Sequence, residues 1–268
     1  MNLPRWCDKL LAVLKRDLLL SLRHRKGFVV QAVSLGAELA GAFYLARSIG
    51  PSFRPDGMGY YPFLLIGTAF STFVVAGVGS FVNAIQEAQT TGSIEVVMST
   101  ATTPQTILLL SAVSAFAGRA VTMVGFILAG ALFAAGAFHP NLASTLLLFA
   151  LSLAVAVAIG IIAVSVQLRM QKGSTVVWLF GTLAWLLTGV AFPVSALPVP
   201  LRQLTEWIPL TYSIRGLRLA LLDHAGITAL WGPIAALALS VAVLLPVSLY
   251  VFSRIGRAAR LDGSLSFY

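Results

Sequence analysis

Residues 142–168 run for 27 positions without a charged side chain. A stretch that long and that apolar suits lipid better than the surface of a soluble domain, since an α-helix needs about 20 such residues to cross the hydrocarbon core of a bilayer. Five further segments read the same way, at 27–49, 60–85, 107–137, 174–193 and 227–255. The fold class expected from them is an all-α integral membrane protein with six transmembrane helices. Composition agrees: 58% of the chain is hydrophobic and 10% charged, whereas soluble domains carry about 25% charged residues.

The net charge is +9, but the basic residues sit at the ends of the apolar runs and not on a soluble face. That placement argues against nucleic-acid binding and sets orientation instead. Residues 1–26, the turn holding Arg169 and Lys172, and the tail holding Arg254, Arg257 and Arg260 together carry twelve Lys/Arg. With six spans they share one side of the membrane. Arg47, Arg54, Arg202, Arg215 and Arg218 fall on the other. The positive-inside rule puts both termini in the cytosol. The expected location is the cytoplasmic membrane, multi-pass.

The segment before the first span is amphipathic. Leu3, Trp6, Leu10, Leu14, Leu18 and Leu22 recur at spacings of three and four, with Arg5, Lys9, Arg16 and Arg23 opposite. This is the pattern of an interfacial helix lying among lipid headgroups, over residues 1–26. Lys15, Arg16 and Asp17 interrupt its apolar character, which argues against a cleavable signal.

Two connections stand apart. Residues 86–105 form a cytosolic loop with two acids, Glu87 and Glu95, and no base. Residues 192–226 form an external stretch broken by Pro193, Pro198, Pro200 and Pro209. Within it, 201–207 and 211–222 are short and partly apolar, and read as a re-entrant helix pair before the last span. Irregular backbone at such depth requires cover from protein or a wet cavity. No stretch is long enough for a separate soluble domain, so residues 1–268 read as a single transmembrane domain.

Catalytic signatures are missing. Lys172-Gly173-Ser174-Thr175 has the letters of a phosphate-binding loop in the wrong order, and the G-x-x-x-x-G-K-[ST] arrangement does not occur. There is no G-x-S-x-G and no H-E-x-x-H. Cys7 is the sole cysteine, and His24, His139 and His224 lack metal-ligand spacing. No catalytic residue, metal site or cofactor is expected in this chain. Gly77-x-Gly79 lies within a span and reads as a packing feature, as do Gly36/Ala40, Gly125/Ala129 and Ala154/Ala158.

Two charges fall within or beside spans. Glu38 is eleven residues into the first, about 16 Å along the helix axis. A charge at that depth must face protein or water or be protonated; Glu38 sits on a substrate path or in a structural pair or buried hydrogen bond. Arg119 is expected shallow, near the cytosolic interface; in a longer tilted helix it becomes a partner for Glu38.

The order of these features resembles the ABC-2 type permeases, the membrane subunits of one class of ATP-binding-cassette exporter. The resemblance rests on Thr188-Gly189-Val190-Ala191-Phe192-Pro193-Val194-Ser195, on Leu197-Pro198, on Pro209-Leu210-Thr211-Tyr212 with Arg215-Gly216-Leu217-Arg218, and on Glu87, Gly92, Glu95 and Thr103-Pro104. It implies a dimer with a second permease copy or paralogue. It also implies a separate nucleotide-binding ATPase subunit, which carries the ATP and Mg. The loop containing Glu87, Gly92, Glu95, Thr103 and Pro104 would dock on that ATPase, with the N-terminal helix touching it. The external segment with Phe192, Pro193, Pro198, Pro209, Tyr212 and Arg215 would shape the exit. The cargo so implied is an amphipathic, drug-like, lipid or lipid-linked glycan substrate. The alternative from the residues alone is a passive channel or ion-coupled carrier working without an ATPase.

Overall fold

The computed structural model describes residues 25–91, 104–134, 136–170 and 173–261. Arg5, Trp6, Lys9, Arg16 and Arg23 of the expected interfacial helix lie outside the described residues, as do Gly92, Glu95 and Thr103 of the acidic loop. Among the described residues there are eight α-helices and no strand. They are α1 (Arg25–Ile49), α2 (Tyr60–Thr90), α3 (Pro104–Ala131), α4 (Leu142–Met170), α5 (Gly173–Leu187), α6 (Val199–Thr205), α7 (Pro209–Leu222) and α8 (Trp231–Leu261).

Four of them contain windows long and apolar enough to cross a bilayer: Tyr60–Thr90, Ser111–Ala131, Leu142–Met170 and Trp231–Ile255. The two segments of the six-span reading that differ from this are the first, α1, which has Glu38 in its middle, and the fifth, α5, which has 15 residues. At 1.5 Å per residue α5 is about 22 Å long. The sequence reading carried this segment on to residue 193, but the helix stops at Leu187 because the chain reverses there. Gly189 takes the left-handed conformation at φ 76°, and Pro193 follows in extended backbone. A glycine in that conformation followed by proline is a common helix stop. α3 likewise ends at Ala131, short of residue 137, in turns closed by Phe133 N–H to Gly130 O (3.0 Å) and Ala134 N–H to Ala131 O (3.1 Å).

α2 and α4 form the interior, and α3 and α8 flank them with most of their surface outward. Phe63, Phe70, Phe73 and Phe81 of α2 are fully buried. Phe73 meets Phe116 of α3 edge-on at 5.7 Å and Phe149 of α4 at 5.3 Å. Phe116 lies directly over Gly77, so that glycine serves close helix approach as its sequence suggests. Ala158 of the Ala154/Ala158 pair is likewise fully buried, whereas the remaining two small-residue pairs differ from expectation. Gly36, Ala40 and Gly125 face outward, with no neighbour near the two glycines. Lipid is as apolar as these side chains, so shape and not hydrophobicity decides which faces meet.

α6 and α7 stand near the expected positions 201–207 and 211–222. α7 opens on Pro209, whose fixed φ suits the first helical position. Its far end is received by the chain entering α4: His139 N–H bonds Leu221 O and Asn141 N–H bonds Ala220 O, both at 2.9 Å. These carbonyls have no partner inside their own helix. Asn141 also caps α4, its Oδ1 accepting Ser144 N–H at 3.2 Å. Midway along α7, Ser152 of α4 donates to Ser213 at 2.8 Å.

Arg218 joins these parts. It is 5% exposed. Its Nε donates to Phe63 O at 3.0 Å, Nη1 to Gly189 O at 2.9 Å and Nη2 to Val190 O at 2.9 Å. The guanidinium carbon lies 3.3 Å from the centroid of the Phe63 ring. One planar fork therefore satisfies backbone oxygens at the start of α2 and just past the end of α5, a geometry that lysine cannot copy. Gly67 makes room for it: a Cβ there would fall 2.5 Å from Nη2 and 2.6 Å from Val190 O.

Charge-assisted hydrogen bonds contribute roughly 1.5–3 kcal/mol each, so Arg218→Ala is expected to lower the unfolding temperature of the detergent-solubilised protein sharply. Arg218→Lys should fall between it and the wild type. Gly67→Ala should also destabilise, and the Gly67→Ala/Arg218→Ala pair should cost less than the sum of the two, since both disturb one contact. Thermal unfolding of the four variants measures this directly.

Candidate functional site

α1, α2 and α3 enclose a cavity of about 160 Å³. Its walls follow from helical spacing. α2 contributes Ala69, Thr72, Phe73 and Ala76, and α3 contributes Arg119, Thr122, Met123 and Phe126. Each set has the i, i+3, i+4, i+7 spacing that lines one helix face. α1 supplies Ser34, Leu35 and Glu38. The cavity is thus mostly apolar with a few converging polar groups, which is the usual make-up of a ligand site.

Both charges picked from the sequence line this space. Glu38 is half-buried and accepts a 3.4 Å hydrogen bond from Thr72 Oγ1. Arg119 turns inward onto α2, where Nε and Nη2 donate to Ser80 Oγ at 3.1 and 2.9 Å. Among the described residues no ion pair joins Glu38 to Arg119. The intramembrane pair considered from the sequence is therefore absent here. Each charge takes a different hydroxyl of α2, and those hydroxyls are eight residues apart, about 12 Å along the axis.

At the Thr90 end of α2 the chain leaves for the acidic loop. The Glu87 side chain is exposed, and its carbonyl accepts bonds from Thr90 Oγ1 (3.0 Å), Thr91 Oγ1 (2.9 Å) and Thr91 N–H (3.0 Å). Pro104 is the first residue of α3, where the missing N–H of proline is harmless. Beside this end Gln167 Nε2 of α4 donates to Gln89 Oε1 at 3.2 Å, both side chains being 1% exposed. This buried amide pair was not among the residues singled out from the sequence. Two glutamines near the ends of apolar runs were its only signal.

The proline-broken segment keeps its predicted residues at one end of the bundle. Phe192 and Pro193 are half-buried. Pro193 O accepts Ala196 N–H at 3.0 Å, and Pro198 O accepts Arg202 N–H at 2.9 Å, so both prolines open turns. Pro209 starts α7, and Tyr212 Oη donates to Glu206 O at 3.1 Å. Arg215 is exposed. The arginine that organises this region is Arg218, three residues on. The sequence offered a hint, since Leu210, Ile214 and Arg218 recur every four residues on one face, and the first two are buried.

A cavity with these polar groups should hold water. In a Cys7→Ser background, cysteine at position 76 is expected to react with N-ethylmaleimide about tenfold faster or more than cysteine at position 156, because thiol reactivity follows access of water and reagent. Ala156 is fully buried. Mass spectrometry of timed labelling measures the ratio; equal rates would mean that the cavity is closed to water.

A search of curated proteins gives no match. One family model does match, described as ABC-2 family transporter protein, over residues 46–250. That range includes all of α2 through α7 and most of α8. The match spans well over half of the chain, and the chain therefore belongs to the ABC-2 family of transporter membrane proteins.

Proposed function

We propose that this chain is the permease subunit of an ATP-binding-cassette exporter, driven by a separate ATPase subunit that binds ATP and Mg. The observation that carries the reading is a transporter-family match over a chain whose sequence has no phosphate-binding loop. Uphill transport then requires energy from a partner. In this reading the chain crosses the cytoplasmic membrane six times, α1 and α5 included, with both termini in the cytosol. α6 and α7 form the external re-entrant pair. A second copy or paralogue completes the pathway, and lipid covers the remaining apolar faces.

Force would enter through residues 86–105. Displacement of that loop pulls on the Thr90 end of α2, and the Gln89–Gln167 bond hands part of it to α4. α2 and α4 form the interior of the bundle, so a shift of these two helices reaches the Arg218 region at the opposite end. The cargo is an amphipathic molecule, drug-like, lipid or lipid-linked glycan.

Affinity capture of the tagged chain from its native membranes should recover an ATPase subunit, and transport by the purified complex should stop without ATP. Transport that continues without ATP would favour a channel or ion-coupled carrier. Within the complex, Glu95→Lys is expected to lower substrate-stimulated ATP hydrolysis about tenfold, the scale of a reversed charge at a docking contact, while leaving thermal unfolding unchanged. Full stimulation in Glu95→Lys would remove Glu95 from the coupling contact.

A further inference from the structure

We infer that the cavity between α1, α2 and α3 binds the cationic head of an amphiphile, an alkylammonium group held at Glu38 with its tail directed outward into lipid. As a statement about cargo this rests on the permease reading. As a statement about a binding site it does not.

The argument begins with an uncompensated carboxylate. Glu38 has acceptor room for about four hydrogen bonds, and the only one it shows here is the long 3.4 Å contact from Thr72. No base lies within ion-pair distance among the described residues. The arginine that shares the cavity is held away, both Nε and Nη2 being bound to Ser80. The cavity therefore has a negative end at Glu38 and a positive end at Arg119, separated along α2. A carboxylate in a half-apolar setting gains most from a cation that replaces lost water.

The walls suit such a head. Phe73 and Phe126 present aromatic rings and Met123 a polarisable thioether, surfaces that attract cations. Size narrows the choice further. At about 160 Å³ the cavity is smaller than the ~300–1,000 Å³ of sites that enclose whole drug-sized ligands. It accommodates a group of the trimethylammonium class and leaves no room for a long chain. The chain must leave the cavity, and a way out exists: α1 packs mainly on α2 and only lightly on α3, and both α1 and α3 present exposed apolar side chains such as Val33, Val121 and Leu128. An anionic head would meet Glu38, and a neutral head would leave its charge uncompensated.

The test is direct binding of tritiated dodecyltrimethylammonium to the full chain in phosphatidylcholine nanodiscs, with binding to empty nanodiscs subtracted and no ATPase present. Saturable binding is expected. Glu38→Gln should weaken it about tenfold or more, the effect of losing one charge-assisted contact. Glu38→Asp should stay within a few-fold of wild type, and Arg119→Gln, which removes the positive end of the cavity, should tighten binding. Dodecanol and dodecanoate should fail to compete. Unchanged affinity in Glu38→Gln would overturn the proposal. So would equal competition by dodecanol, the mark of an apolar crevice, or competition by dodecanoate together with loss of binding in Arg119→Gln, the mark of an anion site. Should Glu38→Gln not fold, competition on the wild-type chain decides alone. If the cation binds as expected but a reconstituted complex with its ATPase does not move it, the site stands and only the cargo assignment falls.

Discussion

A polar group inside a bilayer has no water to fall back on, so each backbone carbonyl freed by a turn must find its partner within the protein. In this chain carbonyls are freed just past the end of α5, and Arg218 takes up two of them, Gly189 O and Val190 O, while its Nε adds a bond to Phe63 O within α2. The short helices α6 and α7 depend on that arrangement. Without a buried donor fork, neither the reversal at Gly189 nor the close approach at Gly67 would be tolerable. Within a turn of Arg218 on α7, the backbone N–H groups of His139 and Asn141 bond Leu221 O and Ala220 O. The C-terminal turn of α7 is thus fixed to α2, to the chain after α5 and to the chain entering α4.

The same rule governs the side chains of the cavity. Glu38 and Arg119 could have neutralised each other across α1 and α3. Instead each uses a hydroxyl on the helix between them, Thr72 or Ser80. Hydroxyls are weaker partners than an opposite charge, so the two ends of the cavity retain opposite fields. That is a poor arrangement for stability and a serviceable one for recognition, because a structural pair would have spent the charge of Glu38 internally.

The interior helices link the two regions. α2 carries Phe63 and Gly67 near one end, the cavity residues Thr72 and Phe73 in its middle, and Gln89 at the other end. In the permease reading proposed above, this subunit moves in response to its ATPase partner. A single continuous helix touching the loop, the cavity and the Arg218 region gives such movement a physical route. Gln89 and Gln167 tie that helix to α4 by a side-chain bond buried among apolar neighbours.

Much of this is legible in the sequence. Apolar run length required helices and a membrane, the prolines at 193, 198 and 209 marked where helices had to break, and the letters around Gly189 and Pro209 carried the family. Local rules sufficed, because helix length, helix stops and proline placement are properties of neighbouring residues. Sequence also picked out Glu38 and Arg119 as anomalies, since a charge within an apolar run is conspicuous. It did not say what they touch. That Arg119 turns to Ser80 and not to Glu38, that Arg218 and not Arg215 is buried, and that Gly36 and Gly125 face outward all depend on which helix faces meet. In lipid, shape and hydrogen-bond geometry choose those faces between residues as far apart as 63 and 218, and only the tertiary structure holds that information.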